Sequence, residues 1–283
     1  MSEPIRLTLA YPNEKQQRFL ECTAKYIAFG GARGGGKSWA VRTKAILLAL
    51  GYAGIRLLIV RRTYQELESN HIRILRPQLA QVAEYKATTR TFTFLNGSTL
   101  EFGYCASDGD MDRYQGAEYD VIFLDECTQL REQWMRQFAA CLRGVNDFPK
   151  RIYYTCNPGG PGHSYIKRLF IDRRFEPGEN PDDYVFIPAR VTDNKALLAA
   201  QPDYLKQLEA LPRRLRQAWL EGRWDIFQGQ VFSEFNDDPT HYADRRFTHV
   251  IPAFDIPREW RVYRSYDFGY AKPFSCGWWA VDH

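Results

Sequence analysis

The feature that most constrains this chain is a glycine-rich stretch, FGGARGGGKSWAV, at residues 29–41. Its glycines would destabilise a core helix or strand, because each one adds backbone entropy that folding must remove. Residues 31–38, GARGGGKS, match G-x-x-x-x-G-K-[ST], the pattern of a phosphate-binding loop. An apolar run precedes the match and a helical stretch follows it, which is the context that such a loop requires. The stretch therefore predicts a nucleotide site.

Each residue type in the loop has a defined task at a phosphate. The glycines let successive backbone N–H groups turn inward around the anion, because this path needs positive φ and no Cβ. These glycines are Gly31, Gly34, Gly35 and Gly36. The helix that follows directs its positive end at the phosphates. We expect Lys37 to reach the β- and γ-phosphates and Ser38 to ligate Mg²⁺.

An acidic pair follows a second apolar run, VIFLDE, at residues 121–126. Asp125 and Glu126 are predicted at the carboxyl end of a strand, where ligands of open α/β sheets bind. Asp125 is expected to hold Mg²⁺ through water, and Glu126 to act as the general base that polarises the attacking water. Together with the glycine loop, this pair predicts hydrolysis of ATP with Mg²⁺.

The order of elements predicts an α/β fold, with a mainly parallel sheet sandwiched by helices. Fully apolar strands that alternate with helices are typical of parallel sheets covered on both faces. The predicted strands lie at 25–31, 55–62, 119–126, 151–158 and 183–190. Asn96-Gly97, within an alternating segment, predicts a β-hairpin. We expect the helix after the second strand to end near Leu75, before Pro77, and a further helix around 202–221.

Composition narrows the class of protein without fixing it. The net charge of +4, from 38 basic and 34 acidic residues, permits a polyanionic partner but does not require one. The six cysteines are scattered without a CxxC pair, which favours reduced thiols in a cytoplasmic protein. No apolar run approaches the ~20 residues of a membrane span, so no membrane association is expected.

Taken together, these motifs resemble the large terminase subunit of tailed bacteriophages, the ATPase of the DNA-packaging motor. PNEKQQRFL (12–20) is similar to the adenine-recognition segment of that family, and RYQGAEYDVIFLDE (113–126) to the approach to its acidic strand. YYTCNP (153–158) resembles its coupling motif. EGRWDIFQGQVFSEF (221–235) is similar to the linker between motor and nuclease, and RSYDFGYAKPFS (264–275) to the first nuclease strand. The resemblance extends over nearly the whole chain.

The resemblance implies roles for further residues. Gln16 is the best match for the adenine contact, although the adjacent Gln17 keeps that assignment open. Thr155 and Asn157 would sense the γ-phosphate through hydrogen bonds and pass its loss to the rest of the domain. Asp267 would be the first metal-binding carboxylate of a ribonuclease-H-like nuclease.

Arginines are expected to stabilise the charge that develops during phosphoryl transfer. Arg33 lies inside the glycine loop and would act within the chain. Arg113 would reach the site of a neighbouring subunit in a ring, with a solvated surface cation as the equally weighted alternative. Arg61 and Arg62 end the second strand at the same sheet edge, and a contact with DNA phosphate and a structural role remain open for both.

Two domains are expected, a P-loop ATPase (motor) domain with a helical linker region over 1–228 and the start of an incomplete nuclease domain over 229–283. A two-metal nuclease needs several carboxylates around its metal pair. The family's later acidic residues would lie beyond His283. We therefore expect endonuclease activity only in a longer chain.

The predicted function is an ATP-hydrolysing motor that translocates double-stranded viral DNA into a procapsid in the host cytoplasm. The resemblance implies the portal protein of the procapsid and the small terminase subunit as partners. It also implies a homo-oligomeric ring on the portal, and a monomer in solution. The alternatives are another P-loop DNA translocase or helicase, and a nucleotide-gated assembly module. A helicase would leave the segment SYDFGYAKP unexplained, and an assembly switch would need no base at Glu126.

Overall fold

The computed structural model describes residues 7–225, 239–246, 248–267 and 275–282. The chain divides into two compact units, Met1–Gln228 and Gly229–His283. Among the described residues no helix combines the length and the apolar character needed to cross a bilayer.

The first unit is built on an eight-stranded sheet in the order β3-β4-β5-β2-β6-β7-β1-β8. The pairs β5–β2, β2–β6, β6–β7, β7–β1 and β1–β8 are parallel, and β3–β4 and β4–β5 are antiparallel. The strands are β1 Tyr26–Gly31, β2 Arg56–Arg61, β3 Ala83–Lys86, β4 Thr91–Phe94, β5 Thr99–Tyr104, β6 Val121–Leu124, β7 Arg151–Cys156 and β8 Tyr184–Ala189. The predicted α/β fold with a mainly parallel sheet is thereby confirmed.

Helices connect these strands, except that turns join β3 to β4 and β4 to β5. The α-helices of the first unit are α1 Glu14–Glu21, α2 Lys37–Gly51, α3 Tyr64–Leu67, α4 Arg73–Leu79, α5 Glu132–Ala140, α6 His163–Ile166, α7 Lys195–Ala200, α8 Tyr204–Glu209 and α9 Arg213–Trp219. Its 3₁₀ helices are Asp108–Tyr114, Cys127–Gln129, Pro181–Asp183 and Val191–Asp193, and its π-helical turns are Glu68–Ile72 and Lys167–Ile171.

The core lies on both faces of the sheet. Along β2, Leu57 and Ile59 belong to one apolar cluster, while Leu58 and Val60 belong to the other. Alternate side chains of a strand point to opposite faces, so both faces of β2 are buried. Helices α2 and α4 supply residues to the first cluster, and α5 and α6 supply residues to the second.

The expected helix end before Pro77 is wrong. The helical segment that starts at Tyr64 passes through the π-helical turn Glu68–Ile72 and continues in α4 to Leu79, with Pro77 inside α4. Proline inside a helix costs about 3 kcal/mol. Leu75 and Leu79 are fully buried against the core, and each such burial contributes about 2 kcal/mol. Tertiary packing therefore outweighs the local signal.

Other local predictions have mixed outcomes. The hairpin at Asn96-Gly97 is present, since β4 and β5 are antiparallel and Gly97 has φ +82°. The helix expected around 202–221 is instead two short helices, because Pro212 precedes α9 and interrupts the backbone hydrogen bonds. The strand β3 has no counterpart in the sequence prediction.

The second unit contains an antiparallel pair, β9 Arg261–Asp267 with β10 Ser275–Val281, and a 3₁₀ helix, Pro239–His241. β9 contains residues 264–267, the start of the segment that resembles the family's first nuclease strand.

Candidate active site

The glycine loop joins the end of β1 to the start of α2. Gly34 and Gly36 have φ of +79° and +76°, in the left-handed region that favours glycine. A Cβ on Gly36 would lie 2.3 Å from Gln16 Nε2, and one on Gly34 would lie 2.9 Å from a ring carbon of Tyr204. Both the backbone path and the packing around the loop therefore require glycine here.

Lys37 is the first residue of α2 and is only 7% exposed. Its ammonium donates to the Ala32 carbonyl at 2.5 Å and to Asn157 Oδ1 at 2.8 Å. Burial lowers the pKa of Lys37, and the negative charge of Glu126 opposes this shift. The Lys37 ammonium is thus held under the loop and is hydrogen-bonded to Asn157, the residue that follows β7.

Asp125, directly after β6, is fully buried and accepts hydrogen bonds from side chains of several elements. Its Oδ2 lies 2.7 Å from Arg61 Nε, 2.7 Å from His71 Nε2 and 3.4 Å from Ser38 Oγ. Its Oδ1 accepts the Thr155 hydroxyl at 2.5 Å.

The surroundings of Asp125 keep its carboxyl group ionised. Burial alone would raise the pKa of Asp125, but the Arg61 charge and the hydrogen bonds from His71 and Thr155 hold it well below its usual range. Burial lowers the pKa of His71, so its ring is neutral and donates through Nε2. The net result is a fixed carboxylate at the carboxyl end of β6.

Glu126 adopts a backbone conformation that is rare for a residue with a side chain. Its φ is +56°, and its N–H donates to Thr155 Oγ1 at 2.8 Å. The carboxylate, 29% exposed, accepts from Asn157 Nδ2 at 3.0 Å. Such strain costs of order 1–3 kcal/mol and persists only where the surrounding structure holds it. Here it turns the Glu126 carboxylate towards Asn157.

A cavity of about 470 Å³ brings these residues together. It is lined by Arg33, Gly34, Gly35, Gly36, Lys37, Ser38, Trp39, Arg61, Asn70, Glu126, Gln129, Asn157, Asn194, Leu197 and Tyr204. Asp125 lies beneath the cavity, within hydrogen-bond distance of Arg61 and Ser38. Most of the residues predicted for nucleotide binding and catalysis are therefore neighbours in space.

Gln16 does not line this cavity. Its Oε1 accepts the N–H of Asn13 at 2.9 Å, which caps α1, and its Nε2 donates to the Gly36 carbonyl at 3.1 Å. The oxygen of the amide thus serves the cap of α1, and its nitrogen serves the contact between α1 and the glycine loop. The adenine contact of Gln16 stays a prediction.

The two predicted catalytic arginines occupy different places. Arg33 lies at the cavity, where its guanidinium stacks on Trp219 with 3.3 Å between the guanidinium carbon and the ring centroid. Arg113 is absent from the cavity lining. It pairs with Asp110 on the 3₁₀ helix Asp108–Tyr114, and its guanidinium lies 4.0 Å from the Tyr104 ring centroid.

Gly31 and Asp267 complete the predicted residues. Gly31 ends β1 with φ +116° and leads into the loop. Asp267 ends β9 and pairs with Ser275 through the backbone, while its side chain lies outside the described part of the structure. Within that described part, no three His, Cys, Asp or Glu side chains are grouped to hold a metal ion. The metal-binding role of Asp267 stays a prediction.

Some residues at the site were not predicted from the sequence. His71, which lies in the π-helical turn, contacts Asp125 although the two are 54 positions apart. Asn194 donates to the Gly34 carbonyl at 2.7 Å. Arg61 is buried and paired with Asp125, which is compatible with the structural one of the two roles left open for it, and its contact with DNA phosphate stays a prediction. No local pattern around these residues signals such contacts.

The fold and the site define the chain as a P-loop NTPase. A lysine-bearing glycine loop leads from β1 into a helix, and an acidic pair ends β6, which is separated from β1 by one parallel strand. Residues 28–236 match the sequence profile described as terminase large subunit, T4likevirus-type, N-terminal. The chain belongs to this family of large terminase subunits.

Solved structures with the same fold include large terminases of two phages. The large terminase of a thermophilic bacteriophage superposes with a TM-score of 0.63 at 19% identity, over 95% of this chain and 65% of that one. A structure of the same terminase in complex with ATP-gamma-S gives 0.61 at 20% identity, over 95% and 64%. The large terminase ATPase domain of Thermus phage P74-26 gives 0.55 at 16% identity, over 76% and 94%.

These likenesses establish the fold. The chain spans just under two thirds of the length of the first of these terminases, 65%. A comparison with curated proteins found no match.

Proposed function

We propose that this protein is the ATP-hydrolysing motor of viral DNA packaging, which moves double-stranded DNA into a procapsid. The observation that carries the proposal is the hydrogen-bonded chain from Lys37 through Asn157 to Glu126 along one cavity. It joins a phosphate-binding lysine to a carboxylate suited to activate water. Membership of the large terminase family supplies the context of packaging.

The glycine loop fits the triphosphate of ATP. Backbone N–H groups of the loop and the positive end of α2 attract the phosphates. Lys37 neutralises part of their charge from below the loop, since its ammonium is already held there. The terminase of the thermophilic bacteriophage, which shares the fold, has been solved with ATP-gamma-S and with ADP, and this supports nucleotide binding.

Ser38 and Asp125 offer what Mg²⁺ prefers, a hydroxyl and an ionised carboxylate whose oxygens lie 3.4 Å apart. These two residues would hold the ion, with Asp125 acting through water. When bound, Mg²⁺ would neutralise charge on the β- and γ-phosphates. His71 and Thr155 keep the Asp125 carboxylate in one orientation.

Glu126 is proposed as the general base. Its carboxylate is accessible from the cavity, and Asn157 fixes one of its oxygens. A water placed between Glu126 and the γ-phosphate would give up its proton to the other carboxylate oxygen as it attacks phosphorus, while the bond from phosphorus to the bridging oxygen breaks and ADP leaves. The hydrogen bond from the Glu126 N–H to Thr155 maintains this geometry.

Asn157 and Thr155 are proposed to couple hydrolysis to movement. Asn157 binds both Lys37 and Glu126, so a change at the γ-phosphate alters both of its hydrogen bonds. Its carbonyl also accepts the Thr128 hydroxyl at 2.9 Å, which links it to the 3₁₀ helix after β6. Loss of phosphate would be transmitted along this path.

Two arginines are proposed to stabilise the negative charge that develops during phosphoryl transfer, one from the same chain and one from a neighbouring subunit. Arg33 would act within its own site after leaving Trp219, and Arg113 would serve a neighbouring subunit's site. The position of Arg113 away from the cavity is compatible with action between subunits.

Mixing Arg113→Ala subunits with Glu126→Gln subunits tests the role of Arg113, because an arginine that acts between subunits predicts partial rescue of ATP turnover. Equal loss in monomer and assembly would instead assign Arg113 to its own site or to folding.

The assembly we propose is a ring of this protein on the portal of the procapsid, in the host cytoplasm, with the small terminase subunit as a further partner. The unit Gly229–His283 is proposed to begin a nuclease of ribonuclease-H-like type, with Asp267 as its first metal ligand. Cleavage of DNA is expected from a chain that also contains the other carboxylates.

The proposal is tested by measuring ATP turnover with and without double-stranded DNA and with and without procapsids. A packaging motor predicts turnover that rises with DNA and rises further with procapsids, together with protection of DNA from added nuclease. Stimulation by DNA alone, without any effect of procapsids, would favour a helicase or another translocase. Slow turnover that changes with neither DNA nor procapsids would favour an assembly switch.

A further inference from the structure

Arg61 lies among the oxygens that are suited to hold a divalent cation. Its Nε is 2.7 Å from Asp125 Oδ2, and its Nη2 is 3.5 Å from Ser38 Oγ and 4.0 Å from Glu126 Oε1. The side chain is only 8% exposed, yet it borders the cavity that Lys37 also lines. A fixed positive charge therefore faces the two proposed metal ligands and the proposed base.

The guanidinium and a metal ion compete for the same space. A Mg²⁺ ion that Ser38 ligates directly and Asp125 holds through a bound water needs the oxygens of both residues. These oxygens are 3.4 Å apart, and Arg61 contacts both. The water on the ion and the guanidinium would have to share the same oxygen of Asp125, and the two cations would repel each other.

We propose that Arg61 is an internal counter-cation of this site, and that Mg²⁺ and the Arg61 guanidinium exclude each other between Ser38 and Asp125. The inference rests on the proposed function and adds a condition for the binding of Mg²⁺ to the site. Mg²⁺ binds only when Arg61 withdraws from Asp125 towards the cavity.

The other partners of Asp125 allow such an exchange. His71 holds the carboxylate at Oδ2 and Thr155 holds it at Oδ1, so each oxygen keeps one hydrogen bond when Arg61 leaves. The carboxylate therefore retains its orientation. The arriving cation replaces the charge that the buried carboxylate needs, so the exchange does not leave the Asp125 carboxylate without a compensating charge.

The competition also determines the order of binding. Free Mg²⁺ gains only a hydroxyl and a carboxylate here, and it must displace a buried guanidinium to reach them. Mg²⁺ that arrives on a nucleotide brings phosphate ligands with it, as Mg²⁺ in such sites usually does. The phosphates also offer the released Arg61 a new anionic partner. The site is thus closed to the free ion and open to the metal–nucleotide complex.

The test measures binding of Mn²⁺, without nucleotide, by electron paramagnetic resonance of the free ion. The wild-type protein should bind Mn²⁺ only in the millimolar range. Arg61→Met, which keeps a long apolar side chain without the charge, should gain one site that is at least tenfold tighter. Arg62→Met is the matched control, because Arg62 is the adjacent and exposed arginine, and it should bind as the wild type does. The double variant Arg61→Met/Asp125→Asn should lose the gained site.

Two results would overturn the inference directly. One is submillimolar Mn²⁺ binding at this site in the wild-type protein. The other is a folded Arg61→Met variant that binds Mn²⁺ no more tightly than Arg62→Met does. Retention of the gained site in the double variant would also overturn it, since the ion would then lie elsewhere.

Poor folding of Arg61→Met would itself be informative. Millimolar Mg²⁺ should then raise the melting temperature of Arg61→Met and leave that of Arg62→Met unchanged, because the metal supplies the missing charge. Absence of that rise would count against the inference. Arg61→Lys, which retains a cation, should resemble the wild type in Mn²⁺ binding.

The outcome is separate from that of the proposed function. Gain of the Mn²⁺ site in a protein that does not hydrolyse ATP would support the role of Arg61 and refute the motor. DNA-stimulated ATP turnover without the gain would support the motor and refute the role of Arg61.

Discussion

The two ends of β6 each carry a buried aspartate, but the surroundings of the two carboxylates differ. Asp120, before the strand, accepts the N–H of Arg56 at 2.8 Å and lies 2.8 Å from Lys150 Nζ. That lysine is in turn fixed by the carbonyl and side-chain oxygens of neighbouring loop residues. Asp125, after the strand, receives four side chains beside a large cavity.

This difference shows that burial and ion pairing alone do not distinguish the carboxylate that we propose to be functional. Both aspartates are buried, both are paired with a cation and both have a lowered pKa. What distinguishes Asp125 is its place at the carboxyl end of a parallel strand, where the ends of β1, β2 and β7 converge. The amino end stabilises the fold, and the carboxyl end is where we propose that catalysis takes place.

The largest expected effect comes from Glu126→Gln at the carboxyl end. Loss of a general base typically lowers the rate by about 10²–10⁴-fold, and the substitution leaves the nucleotide contacts of the loop intact. We expect ATP turnover to fall by that factor while affinity for ATP, measured by calorimetry, stays within twofold. Glu118→Gln, on the partly exposed approach to the amino end, is the control and should leave turnover unchanged. Unimpaired turnover in Glu126→Gln would place the base elsewhere.

The next effect compares two lysines, one for each end of the strand. Lys37→Ala should lower ATP turnover by about 10²–10³-fold, as expected for loss of a group that stabilises transition-state charge. Lys150→Ala should lower the free energy of unfolding and leave turnover per folded molecule unchanged, because Lys150 serves Asp120. Turnover assays combined with urea denaturation separate the two. Similar losses of turnover in both variants would contradict the proposed difference between the amino end and the carboxyl end of β6.

A smaller effect is expected in the acid stability that Asp120 provides. Burial would raise the pKa of Asp120, but hydrogen bonds from Lys150 and the Arg56 N–H lower it overall. The ionised group therefore stabilises the fold above its unfolded pKa of about 3.9, and this contribution is lost as pH falls through the lower folded pKa. Asp120→Asn should cost about 2 kcal/mol at pH 7.

Urea denaturation over a range of pH tests this prediction. The difference in unfolding free energy between the wild type and Asp120→Asn should narrow as pH falls below about 4, because the Asp120 carboxyl group of the unfolded chain then takes up a proton while the native carboxylate, with its lower pKa, is still ionised. Asp147→Asn, an exposed change nearby, should show no such narrowing. A constant difference at all pH values would mean that the charge of Asp120 does not stabilise the fold.

The smallest effect is expected from Thr155→Val at the carboxyl end. The substitution removes the hydroxyl that joins Asp125 to the Glu126 N–H. It should cost about 1 kcal/mol of stability, because Asp125 keeps its other partners and water from the cavity reaches Glu126. Denaturation of Thr155→Val and Thr155→Ser measures the loss, and serine should restore most of it. A loss in Thr155→Ser without a loss in Thr155→Val would point to the methyl group instead of the hydroxyl.

The sequence predicted those parts of the molecule whose signal is local. The loop from Gly31 to Ser38, the turn at Asn96-Gly97 and the acidic end of β6 each combine a fixed residue pattern with a fixed backbone need. The alternation of apolar strands and helices likewise predicted the parallel sheet, because burial on both faces requires it.

What the sequence did not predict depends on contacts between distant segments. His71 reaches Asp125 because a π-helical turn, Glu68–Ile72, carries it to the acidic end of β6, and nothing in those five residues specifies this turn. The pairing of Arg61 with Asp125 depends on β2 lying next to β6, which local periodicity does not give. The continuation of α4 past Pro77 depends in the same way on tertiary burial.

The spacing of Thr155 and Asn157 makes the site sensitive to insertions and deletions in β7. The two residues are separated by one position, so both face the site while Cys156 between them is buried in the apolar cluster on the other side. A single codon inserted or deleted within β7 would present Tyr154 or Cys156 to Asp125 and turn a polar residue into the core. A point substitution in this strand changes one side chain, whereas a change of its length moves every later side chain to the opposite face. In related proteins we therefore expect the amino acids of β7 to vary, but not the number of residues in the strand.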